Sequence, residues 1–130
     1  VPGEHTPLLI AAQEGAHQIV RALLLGGASP NTVSDDDQRT PLILATYLGH
    51  DKVVEELLKG GAAPDVTTEN GVTALMIASQ EGPSSIVDAL ILAGADVDKA
   101  MNDGYTALVI ARHAGHSAIV KLLLDAGATK

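Results

Sequence analysis

Apolar residues fall along this chain in short, evenly spaced bursts. A β-branched pair recurs as Ile19-Val20, Val53-Val54, Ile86-Val87 and Ile119-Val120. Four residues after each comes a second pair: Leu23-Leu24, Leu57-Leu58, Leu90-Ile91 and Leu123-Leu124. That offset is the repeat of one helical face, so each burst predicts a helix, over about 17–25, 51–59, 84–92 and 117–125. A second signal runs upstream of each burst. The phrase Thr-Pro/Ala-Leu starts at Thr6, Thr40, Thr73 and Thr106, with steps of 34, 33 and 33 residues. A Thr here can accept a backbone N–H and cap a helix, and Pro7 and Pro41 then sit where a missing N–H costs nothing. Nine residues after each Thr stands a Gly, at positions 15, 49, 82 and 115, which ends that helix. Each unit closes with Gly-Ala. The pattern predicts one domain, 1–130, of four two-helix units at about 1–34, 35–67, 68–100 and 101–130.

The junctions between units read as turns. Glu69-Asn70-Gly71 and Asn102-Asp103-Gly104 supply Gly where positive φ is needed. The first junction, Ser34-Asp35-Asp36-Asp37-Gln38, is one residue longer and has no Gly. It is expected to bulge and to be the most mobile of the three.

With these motifs the chain resembles the ankyrin repeat family, whose units carry Gly-x-Thr-Pro-Leu-His-x-Ala, then Gly-His, then Val-Val/Leu-Leu, then Gly-Ala-Asp-x-Asn. The resemblance covers almost the whole chain. It implies an all-α solenoid of paired antiparallel helices, with short β-hairpin or turn fingers projecting from one edge between repeats. The departures are specific. The family's His after Thr-Pro-Leu is replaced by Leu9, Ile43, Met76 and Val109, which substitutes apolar packing for its hydrogen bonds. Gly-His survives as Gly49-His50 and Gly115-His116, but reads Gly15-Ala16 and Gly82-Pro83 in the other two units. The Asp/Asn near the finger survives as Asn31, Asp65 and Asp98.

Composition narrows the picture. The chain is 46% hydrophobic but only 2% aromatic, so Leu, Ile, Val and Ala must build the core. Sixteen Asp and Glu face eight Lys and Arg, a net charge of -8 that repels phosphate backbones and disfavours nucleic acid. Cys is absent, which removes disulfides, thiolate metal sites and a Cys nucleophile and fits a reducing, intracellular compartment such as the cytoplasm. No apolar run reaches the ~20 residues a membrane span requires. The chain begins at Val1, not Met, and both end units read as interior repeats without polar caps. Solenoids need polar ends for solubility, so the expectation is a segment of a longer array or self-association through apolar ends.

Candidate chemistry is thin. Gly115-His116-Ser117 and Gly82-Pro83-Ser84 begin like a nucleophile elbow, but the closing Gly is missing and no strand precedes them. His113 and His116 have a chelating spacing, yet His116 fills the structural Gly-His position. No phosphate-binding loop is present, so neither cofactor nor metal is expected. Tyr47-Leu48 is an apolar pair where sister units have Gln13-Glu14 and Gln80-Glu81.

In the family, fingers and first helices form a concave groove that contacts partners. By position, the groove here comprises Asp36, Asp37, Arg39, Tyr47, Leu48, Glu69, Asn70, Val72, Gln80, Glu81, Asn102, Asp103, Tyr105 and His113. The expected function is a non-catalytic module that binds a protein or peptide with a basic or mixed surface. An engineered or reconstructed binding scaffold, and a regulatory segment of a larger enzyme or channel, are the alternatives.

Overall fold

The computed structural model describes residues 6–34 and 38–129. Among these, eight helices follow one another in pairs: α1 (Pro7–Glu14) with α2 (His17–Leu25), α3 (Pro41–Leu48) with α4 (Asp51–Lys59), α5 (Ala74–Glu81) with α6 (Ser84–Leu92), and α7 (Ala107–Ala114) with α8 (Ser117–Asp125). First helices stack on first helices along the chain, and second on second. The result is an all-α repeat solenoid, as the spacing predicts.

The same local chemistry builds every pair. Thr6, Thr40, Thr73 and Thr106 cap the first helices by accepting the backbone N–H three residues on. The mid-unit Gly closes each first helix in the left-handed conformation. The closing Gly-Ala has its own role. In α2, the Ala28 N–H reaches Leu23 O and the Gly27 N–H reaches Leu24 O, the paired bonds of a Schellman end. The Ala62, Ala95 and Ala128 amides repeat the longer bond on Leu57, Leu90 and Leu123.

The core is aliphatic and continuous. Val20, Val53, Val54, Leu57, Val87, Leu90 and Leu123 are wholly buried between second helices and their neighbours. Alanines at the same point of each first helix, Ala11, Ala45, Ala78 and Ala111, allow close backbone approach. The replaced family His is absorbed as expected at three positions, where Leu9, Ile43 and Met76 are buried. Met76 goes further: its Sδ accepts the Thr73 N–H at 3.4 Å, so one hydrogen bond persists with sulfur as acceptor.

Two kinds of polar staple cross from unit to unit. The side chains of Asn31, Asp65 and Asp98 accept the backbone N–H of Ala63, Asp96 and Thr129 in the next unit, at 2.8, 2.8 and 2.9 Å. The Gly-His units supply the second kind. His50 Nε2 donates to Gln13 O and His116 Nε2 to Gln80 O, each at 3.1 Å. Each carbonyl lies at the open C-terminal end of a first helix. The imidazoles lie over Gly15 and Gly82, where an added Cβ would come within 2.9 Å of the ring. His staples therefore join the first pair to the second and the third to the fourth. Pro83 leaves the middle junction without one; there Ser85 Oγ donates to Asp51 Oδ2 at 3.3 Å. His116→Ala should cost about 1 kcal/mol, the worth of one such hydrogen bond, as read by urea unfolding.

One buried side-chain polar atom is unsatisfied among the described residues. Thr46 Oγ1 in α3 finds no hydrogen-bond partner. Its counterpart in α5, Ser79 Oγ, donates back to Leu75 O at 2.7 Å. Thr46→Val keeps the shape and removes the orphan hydroxyl, so it should raise stability by about 1 kcal/mol in the same measurement.

In the last pair Ile119 and Leu123 are buried within the stack, at 1% and 0% exposure, while Leu124 is exposed.

Candidate binding groove

The turns between units project from the same side as the first helices. In the third unit the Thr68 N–H donates to Val72 O at 3.0 Å, and the turn closes through Gly71, whose φ is 82°. In the fourth, the Met101 N–H donates to Tyr105 O at 2.8 Å, and an isolated bridge pairs Ala100 with Thr106. The two fingers are joined. The Asn102 N–H donates to Asn70 O at 3.1 Å and its Nδ2 to Glu69 O at 3.0 Å. A Cβ on Gly71 would meet Asn102 Oδ1 at 2.7 Å, so the approach itself demands Gly. At the first junction the Ser34 N–H donates to Arg39 O at 3.0 Å, closing the loop base; Asp36 and Asp37 lie outside the described residues.

Between fingers and first helices run three adjoining depressions. The first, of about 360 Å³, lies among Arg39, Ile43, Tyr47, Glu69, Asn70 and Val72, with Thr68 and Ile77 completing it. The second, of about 230 Å³, shares Tyr47, Val72 and Ile77 with the first and adds Met76, Gln80, Glu81, Met101 and Ile110. The third, of about 310 Å³, shares Gln80, Met101 and Ile110 with the second and adds Tyr105, Val109 and His113. Shared walls make them one trough across three units.

Helical periodicity explains the lining. Positions three, four, seven and eight after the capping Thr lie on one face of a first helix. They give Ile43 and Tyr47 in α3, Met76, Ile77, Gln80 and Glu81 in α5, and Val109, Ile110 and His113 in α7. The floor is apolar, while Glu69 and Glu81, which line it, are exposed. Arg39 sits over the Tyr47 ring, 5.2 Å from its centroid, a cation–π arrangement that leaves the phenol 53% exposed.

Of the residues singled out in the sequence, Arg39, Tyr47, Glu69, Asn70, Val72, Gln80, Glu81, Tyr105 and His113 come together along the trough. Leu48 is exposed but lines none of the three depressions. Asn102 and Asp103 form the fourth finger's tip: Asn102 turns to the neighbouring finger and Asp103 Oδ1 accepts the Tyr105 N–H at 3.3 Å. The floor residues Ile43, Ile77, Met101 and Ile110 are absent from the groove as read from the sequence. A signal for Ile77 and Ile110 exists: the fourth residue after each Thr is apolar throughout, as Ile10, Leu44, Ile77 and Ile110. His113 faces the trough and His116 is engaged by Gln80 O, so the two do not converge on one point.

The family model described as ankyrin repeats, in three copies, matches residues 2–68 and again residues 49–130. The chain belongs to the ankyrin repeat family. Ankyrin repeats are in general protein–protein interaction modules, and their domains are typically non-catalytic. A comparison with curated proteins finds no match. No helix among the described residues is long and apolar enough to cross a membrane.

Proposed function

We propose that the chain acts as one four-repeat interaction module, residues 1–130, and that its trough takes a protein segment carrying apolar side chains flanked by basic ones. One observation carries the reading: apolar walls run continuously through depressions shared by three units, with Glu69 and Glu81 exposed at the rim. Apolar side chains of the partner would fill the depressions. The rim would speed encounter and set orientation, because charges at an interface edge act mainly on association rate. Arg39, Tyr47, Glu69, Asn70, Val72, Gln80, Glu81, Tyr105 and His113 form the contact set, with Leu48, Asn102 and Asp103 at its border. The net charge of -8 supports a basic or mixed partner over nucleic acid. The absence of Cys suits an intracellular setting.

Selection of a displayed library of random linear peptides on the immobilised chain tests this. The expected outcome is enrichment of peptides combining Lys or Arg with large apolar residues, with binding that weakens as salt rises. Enrichment of acidic peptides, or binders that ignore Ile77→Asp, would overturn it.

A further inference from the structure

Each joint between units can be pinned at two places. The Asn/Asp staples lie beyond the C-terminal ends of the second helices, from Asn31 to Ala63, Asp65 to Asp96 and Asp98 to Thr129, one at every joint. The His staples lie at the other end, where a second helix begins. A helix of nine residues, roughly 13 Å long, separates the two places. The joint between the second and third units keeps the first pin and lacks the second.

Pro83 is the cause. Seven residues after the capping Thr, Gln13 O and Gln80 O each receive an imidazole, and Gly15 and Gly82 lie under the rings. The equivalents in the second unit are Tyr47 O and Gly49. Among the described residues, nothing comes within 4 Å of a Cβ built on Gly49. Pro83 also lacks the N–H that Ala16, His50 and His116 donate to the carbonyls of Ala11, Ala45 and Ala111, at 3.0, 2.9 and 3.0 Å. The Gly82 N–H takes Ala78 O instead, at 2.9 Å. This end of the joint is bridged by the exposed Ser85–Asp51 hydrogen bond at 3.3 Å, where water competes for both groups.

The open end carries trough residues. Tyr47 lies in the last turn of α3 on one side of the joint, and Gln80 and Glu81 end α5 on the other. All three line the second depression. The third depression spans the next joint, which Asp98, Asn102 and His116 pin. We infer that Pro83 makes the joint between the second and third units the one at which the stack flexes. The second depression then adjusts its width to an occupant, while the third keeps a fixed shape. Buried Val54, Leu57, Val87 and Leu90 hold the units together, but apolar contact is non-directional and permits a small rotation about the Asp65 staple. The occupant rests on the trough reading above; the flexing does not, and it is tested in the free chain.

The absence of Cys allows paired spin labels to be placed at will. Arg21, Glu55, Asp88 and Lys121 are exposed and hold the same fifth position in the four second helices. Three double variants, each changing two neighbouring members of this series to Cys, report one joint apiece through dipolar broadening in frozen solution. The Glu55–Asp88 distances should spread about 1–2 Å more widely than those of Arg21–Glu55 or Asp88–Lys121. Pro83→His should narrow that spread to the level of its neighbours. The backbone there, at φ -81° and ψ 96°, is close to that of His50 and His116, so the ring fits. Pro83→Ala restores the N–H without the imidazole and should leave the spread broad. His116→Ala should broaden Asp88–Lys121 alone. Circular dichroism checks the fold of each variant. Equal spreads at the three joints of the otherwise unaltered chain would overturn the inference, whether or not Pro83→His folds. So would a folded Pro83→His chain that stays broad, or a His116→Ala chain whose last joint is unchanged.

Discussion

Replacing Leu57 by Ala should lower the unfolding free energy by about 3 kcal/mol, within the ~2–5 kcal/mol range for large-to-small changes at buried Leu. Leu57 is wholly buried in α4, an interior second helix that has a neighbour on each side. Neither side can relax into the space without giving up its own contacts, so most of the cavity persists. A domain this size holds roughly 5–15 kcal/mol in total, so the loss should move the thermal midpoint down by roughly 10 °C. Leu23 is the control. It occupies the same position in α2, but the first pair has no described neighbour on its outer side, and Leu23 is only half-buried. Leu23→Ala should cost less than half as much. Far-UV circular dichroism melts of the two variants, side by side, measure the difference. Equal losses would mean that the end pair is packed as tightly as an interior one.

Tyr47→Ala should weaken a trough-bound peptide about 30-fold, equivalent to roughly 2 kcal/mol. Three features single out this side chain. It lines both the first and second depressions, so it touches whatever passes between them. It is pre-positioned by Arg39, which reduces the ordering cost on binding. A phenol offers a broad apolar face and a polar tip with few torsions to freeze. Leu48→Ala, exposed but outside the depressions, should change affinity by less than about three-fold. Calorimetric titration of a selected peptide against both variants gives the ratio. A larger effect at Leu48 than at Tyr47 would move the contact surface off the trough.

The fold was legible because its punctuation is local. Thr caps, Gly stops and Gly-Ala ends act through bonds within a few residues, and those bonds are present in each pair. The second helices match the predicted spans because their apolar pairs sit four apart without interruption. The candidate trough was legible only at its rim. Exposed polar and aromatic residues stand out from the repeat pattern, as Tyr47 does against Gln13 and Gln80. The floor was not found, because Ile77, Met101 and Ile110 look like core residues in a sequence. Only stacking decides that their side chains are walls of a trough.

Chemical thrift has given this molecule an optical reporter. Tryptophan is absent, and its two phenols stand half-bare at opposite stretches of one trough, Tyr47 at 53% and Tyr105 at 54% exposure. Neither belongs to the interior. Near-ultraviolet emission from the unlabelled polypeptide will thus be a poor gauge of denaturation and a sensitive one of occupancy. A ligand bearing an indole, excited through these phenols by energy transfer, would announce its arrival without any dye.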